Sequence, residues 1–108
     1  LYGEDGDDTI DGGAGADTLT GGAGIDTFVI RAGDGGSNIS DADTITDFTD
    51  GTDIIGMSGL NYSDLTVEQG SGDYSNHVIV KKTDSEEFLL IIQSQNISNI
   101  NDSDFSAI

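Results

Sequence analysis

Apolar residues return at every ninth position in the first part of the chain, at Ile10, Leu19 and Phe28, each preceded by a threonine. The triplets TID (9–11), TLT (18–20) and TFV (27–29) alternate in strand fashion, so the central side chain points inward and its threonine outward. Each triplet follows a six-residue stretch, rich in glycine and ending in aspartate, at 3–8, 12–17 and 21–26. Two such units make one flattened coil with a turn on each side. Repeat one then stacks on repeat three, and repeat two on whatever follows residue 29, at a strand spacing of roughly 4.8 Å. A flexible Gly/Asp linker gives no reason for an apolar residue at a fixed ninth position.

Beyond residue 30 the pattern weakens. Residues 28–30 read as a strand, followed by a polar loop over 33–38. Asp43, Thr44 and Ile45, and later Asp53, Ile54 and Ile55, echo the repeat without its double glycines. From residue 54 the character changes. Segments 77–82 and 87–92 are β-rich, and the stretch between them, TDSE (83–86), has turn composition. They predict an antiparallel hairpin that caps the exposed strand edges of a solenoid. The Asn/Ser/Asp-rich tail, 96–108, predicts a short helix or loop. The reading is all-β: a parallel β-roll over 1–53 and a cap over 54–108, forming one continuous module.

With 34% hydrophobic residues in 108, burial of apolar surface alone supplies a small core. The net charge of −18 opposes compaction further. The charge is concentrated at the repeats, where residues 1–53 carry a net −12 against −6 for 54–108. Bound divalent cations would address both deficits. No basic stripe is present for nucleic acid, and no apolar run reaches transmembrane length. The chain has no cysteine or proline, shows no N-terminal signal peptide, and begins within a repeat as if it were the C-terminal piece of a longer protein.

Glycines at the turns permit backbone angles that let several carbonyl oxygens point at one spot, and Asp8, Asp17 and Asp26 add carboxylates. A mixture of carbonyl and carboxylate oxygens suits Ca²⁺.

The repeats, together with DTITDFTDGTDIIGMSGL (43–60), resemble the C-terminal β-roll of RTX proteins exported by type I machinery. Within that family the stretch 26–105 is most similar to mannuronan C5-epimerase R-modules and serralysin C-terminal regions. The resemblance implies a right-handed parallel β-roll that binds roughly two to four calcium ions between stacked turns. One turn would give the carbonyls of its second and fourth residues plus its aspartate; the other would give its first and third carbonyls plus its own. Carried over, one site uses Glu4, Gly6 and Asp8 with Gly21, Ala23 and Asp26. A second uses Gly13, Gly15 and Asp17, completed near Asp34. A third uses Gly22, Gly24 and Asp26, completed by Asp43. The chain departs from the pattern at Glu4, where glycine is usual, and beyond residue 30, where the glycines are missing.

The implied partners are calcium ions, an upstream domain of the same polypeptide and the secretion machinery. The implied location is extracellular, from a bacterium, and the module itself is not an enzyme. His77 is the only histidine, which rules out a multi-histidine zinc site, and nothing supplies a nucleophile with an oriented base. An alternative function is accessory binding of an anionic polysaccharide, which would depend on Arg31, Lys81 or Lys82. A threonine ice-binding face is too short. Four Asn-x-Ser sequons, at Asn38, Asn61, Asn96 and Asn101, read as accidents of composition.

Overall fold

Every strand of the N-terminal half is short, and its place is set by the coil before it. The computed structural model describes residues 2–13, 15–33, 35–49, 52–93, 95, 98 and 100–108. It contains strands β1 (Thr9–Ile10), β2 (Thr18–Leu19), β3 (Thr27–Arg31), β4 (Asp43–Ile45), β5 (Ile54–Ser58), β6 (Leu65–Gln69), β7 (Val78–Lys82), β8 (Glu87–Ile92) and β9 (Phe105–Ala107), and no α-helix among the described residues. One sheet runs β1-β3-β5-β9, all parallel. The other runs β2-β4-β8-β7-β6, parallel as far as β8 and antiparallel after it.

The inward residues form two columns. Ile10, Phe28, Ile55 and Phe105 are in register along the first sheet. Leu19, Ile45 and Ile92 are in register along the second. All seven are buried and belong to one apolar cluster, so the nine-residue apolar period becomes the interior of a two-sheet roll. At roughly 1.5–3 kcal/mol for each fully buried large side chain, these columns hold the sheets together. The outer threonine ranks stop early: Thr27 is followed by Ile54, and Thr44 by Ile91.

Repeat one stacks on repeat three, 18 residues apart. The next coil is longer, with 26 residues between Asp17 and Asp43 and 27 between Asp26 and Asp53. The extra chain is the polar loop after β3. Glu87 seats it by accepting from the N–H of Gly33 (2.7 Å) and of Gly35 (2.9 Å).

Two expectations for the C-terminal half need correction. The 77–82/87–92 hairpin forms, but β8 is also the third parallel rung of the second sheet, and β7 and β6 extend that sheet beyond it. The tail is not merely helix or loop: a 3-10 turn at Asp102–Asp104 leads into β9, the fourth rung of the first sheet. A three-residue strand with a single large apolar side chain, Phe105, has no local signature. It exists because β5 offers an unpaired edge.

Three of the sequons are one structural device. In NISD (38–41), NYSD (61–64) and NDSD (101–104), the aspartate accepts from the asparagine N–H at 3.2, 3.0 and 3.0 Å. The aspartate N–H donates in return to the asparagine carbonyl at 2.9, 2.9 and 3.0 Å. Each turn precedes a strand: β4, β6 or β9. The fourth sequon, Asn96, lies outside the described residues. Asp64→Ala should cost about 1 kcal/mol in chemical denaturation of the calcium-saturated chain, with calcium affinity unchanged. A fall in affinity would contradict this independence.

Candidate metal centre

The turns 3–8, 12–17 and 21–26 share one backbone solution. Their second and fourth residues have positive φ: Glu4 (68°) and Gly6 (98°), Gly13 (72°) and Gly15 (87°), Gly22 (79°) and Gly24 (97°). At Gly22 the requirement is double, because a Cβ would also lie 2.5 Å from the Glu4 carbonyl of the turn below. Glu4 adopts the same conformation with a side chain, which costs roughly 1–2 kcal/mol. Glu4→Gly should therefore stabilise the calcium-loaded fold by about 0.5–1 kcal/mol, after allowing for glycine's greater freedom when unfolded. Thermal denaturation checks this; a lower Tm would mean that the Glu4 side chain has a role of its own.

The aspartates that close the turns form ladders through the stack. The Asp8 N–H donates to Asp26 Oδ1 (3.1 Å), and the Asp26 N–H donates to Asp53 Oδ1 (3.0 Å). On the other side the Asp17 N–H donates to Asp43 Oδ1 (2.8 Å). Asp26, Asp43 and Asp53 are buried. The other oxygen, Oδ2, of Asp8, Asp17 and Asp26 is buried without a hydrogen-bond partner among the described residues. Leaving a buried acceptor unpaired costs about 1–3 kcal/mol, and more when it is charged. Asp53, by contrast, has its Oδ2 satisfied by the Thr49 N–H (2.9 Å). The orphaned oxygens therefore fall on the three nonapeptide aspartates.

The surroundings of those oxygens are oxygen-rich. The Glu4 and Gly6 carbonyls lie against Gly22 and Gly24 of the next turn. The Gly21 carbonyl and Asp8 Oδ2 both approach the open side of Gly3, within 2.9 and 2.8 Å of where a Cβ would stand. No group of three or more acidic or histidine side chains converges among the described residues. A cation here would be held by one or two carboxylates together with backbone carbonyls. The donors are hard oxygens with net negative charge, which fits Ca²⁺.

Burial pushes the Asp26 carboxyl above its usual range. The Asp8 N–H pulls the other way, and the charges of Asp53, Asp8 and Asp47 add to the rise. A carboxyl raised in the fold favours folding below its unfolded value, about 3.9, and that contribution is lost as pH rises through the higher folded value. In chelator, acidification from neutrality to about that pH should therefore increase the folded fraction. In calcium it should weaken ion binding, since protons compete for the ligands. Circular dichroism in chelator checks the first sign and calorimetric titration the second.

The structure brings Glu4, Gly6, Asp8, Gly21 and Asp26 to one inter-turn space. Ala23 lies in the same turn as Gly21. Gly13, Gly15 and Asp17 form the turn that precedes β2. The expected pairing of Asp43 with Asp26 is corrected. Asp43 stands beside Asp17, and Asp53 takes the place beside Asp26. The longer second coil causes the exchange, because it moves Asp43 to the second sheet. Asp34 lies outside the described residues. Sequence reasoning missed Asp53 as a site residue, although its position before Ile54 and Ile55 repeats the aspartate-before-strand pattern.

His77 is half-buried, with its ring 6.2 Å from that of Tyr74, and lines a shallow groove of about 230 Å³ on the outer face of the second sheet. Among the described residues no helix is long and apolar enough to cross a membrane.

The family model described as RTX calcium-binding nonapeptide repeat (4 copies) matches residues 1–28. Among solved structures, the chain is similar to the solution structure of the AlgE6R3 subunit from the Azotobacter vinelandii mannuronan C5-epimerase, with 28% identity and a TM-score of 0.69. The alignment covers 98% of this chain and 66% of that one, so the chain spans just under two thirds of the structure it matches. No curated protein matches. Residues 1–28 thus match the RTX calcium-binding nonapeptide repeat, in an all-β chain whose fold is similar to that of the epimerase subunit.

Proposed function

We propose that the chain is a calcium-triggered folding module at the C-terminal end of a protein secreted by bacterial type I machinery, and that it is itself non-catalytic. The observation that carries this reading is the set of buried, unpartnered oxygens on Asp8, Asp17 and Asp26. Without a cation, stacked turns hold ionised carboxylates together at low effective dielectric. With one, the binding energy appears as folding energy. The residues that would hold ions are Glu4, Gly6 and Asp8 with Gly21, Ala23 and Asp26; Gly13, Gly15 and Asp17 with Asp43; and Gly22, Gly24 and Asp26 with Asp53. When bound, calcium supplies charge neutralisation and a cross-link between coils.

Extracellular calcium modules bind at about 10⁻⁴–10⁻³ M, far above cytosolic calcium. A chain that is unfolded at low calcium can pass through a narrow channel and fold outside. A calcium titration followed by circular dichroism tests the reading. Strand signal should appear cooperatively in that concentration range; full strand signal in EGTA would contradict it.

The alternative, binding of an anionic polysaccharide, draws on the epimerase neighbour. It gains no support from the basic side chains, because each has an acidic partner: Arg31 with Asp11, Lys81 with Glu68 (3.2 Å) and Lys82 with Asp84 (4.0 Å).

A further inference from the structure

The turn 21–26 is gripped from outside by carboxylates that the ion sites do not use. Asp47, in the segment leaving β4, accepts from the N–H groups of Gly21 and Gly22 at 2.8 Å each, one on either oxygen. Asp7, from the turn below, accepts from the Ile25 N–H at 2.8 Å. A peptide unit is planar and its N–H and C=O point in opposite directions. Fixing the Gly22 N–H therefore fixes the Gly21 carbonyl, and fixing the Ile25 N–H fixes the Gly24 carbonyl. The first consequence is visible: the Gly21 carbonyl is turned toward Gly3, on the side where the orphaned Asp8 Oδ2 lies. Among the described residues, turn 12–17 has only two such bonds, from Gly13 to Asp11 (3.0 Å) and from Asp17 to Asp43 (2.8 Å). Turn 3–8 has one, from Asp8 to Asp26.

We infer that Asp47 and Asp7 are positioning residues that aim the Gly21 and Gly24 carbonyls of turn 21–26 at bound calcium, making this turn the tightest ion-holding element of the chain. The inference rests on the calcium reading above. Groups that orient metal ligands typically change affinity roughly 10–100-fold when removed. Asp47 and Asp7 would do so through backbone carbonyls instead of side-chain ligands. Neither carboxylate needs to touch the ion.

The test uses the full 108-residue chain and three variants: Asp47→Asn, Asp7→Ala and, as a control, Asp64→Ala. Asp47→Asn keeps the shape but turns one of the two acceptor oxygens into a donor, so the paired grip on the Gly21 and Gly22 N–H groups is lost. Calcium calorimetry gives affinity, and Tb³⁺ luminescence lifetimes in H₂O and D₂O count the waters on the bound ion. Expected for Asp47→Asn is a roughly 10–100-fold weaker tightest site and about one additional bound water, the water replacing a carbonyl that has turned away. Asp64→Ala removes the carboxylate that closes the turn before β6, so it should lower Tm and leave affinity and water count unchanged. That separates a positioning role from a general loss of stability. If Asp47→Asn does not fold at saturating calcium, Asp7→Ala, which loses a single exposed contact, decides by the same two readouts. Wild-type affinity and water count in the folded variant would overturn the inference while leaving calcium-triggered folding intact. A wild-type chain that takes up neither ion would overturn both.

Discussion

Asp26→Asn is expected to act in opposite directions with and without calcium. In chelator it should raise the folded fraction, because it removes a buried charge whose carboxyl is already pushed above its usual range by burial. The amide oxygen can still accept the Asp8 N–H, so the ladder bond survives. In calcium the same variant should be the most damaging single change in the chain. Asp26 lies between turn 3–8 and the segment that supplies Asp53, with links to both, so neutralising it weakens two ion positions at once. The affinity loss should exceed the roughly 10–100-fold typical of a supporting group. Calorimetry and denaturation of Asp26→Asn against Asp73→Asn, an exposed acid, check both signs. Asp47 would be an unsuitable control, since it holds the head of the same turn. Equal effects at positions 26 and 73 would mean that the stacking does not create the ion sites.

The second large effect is expected from removing residues 75–108. Every proposed ligand remains, yet calcium-induced structure in residues 1–53 should vanish. The deleted segment contains β8, the parallel partner of β4, and β9, the parallel partner of β5. It also holds Val78, Val80, Leu90 and Ile92, none with accessible surface. At about 1.5–3 kcal/mol for each such side chain, this loss rivals the whole stability of a typical domain, about 5–15 kcal/mol. The expected order is that these strands fold first and the repeats then add towards the N-terminus, one coil on the next, consistent with nearest-neighbour growth in solenoids. Circular dichroism of the truncated chain in calcium checks it. Repeats that fold alone as well as in the full chain would remove the hairpin from the nucleus.

How much could be read from the residues depended on how locally each feature is encoded. The nonapeptides were legible because each carries its own instructions: glycines for the left-handed positions, one aspartate, and one apolar residue for the column. Their stacking followed from the period, and Thr9 does stand against Thr27. The partner of Asp26 was not legible. It depends on the length of the loop after β3, and a coil that grows from 18 to 27 residues puts Asp53 there in place of Asp43. Strands β6 and β9 escaped for a related reason, since an edge strand and a three-residue strand are made by the neighbours they pair with. The Asn-x-Ser-Asp turns were present in the text of the chain but read as sequons. Their meaning lies in the fourth residue, whose carboxylate closes the turn.

The central claim is that the stacked turns form only around calcium, and amide NMR spectra of the full chain in EGTA and in millimolar calcium test it most directly. The expected result is that the N–H signals of Asp8, Asp17 and Asp26, which donate along the carboxylate ladders, collapse into the unfolded range in EGTA and disperse in calcium. The same dispersed positions for all three in EGTA would contradict the account.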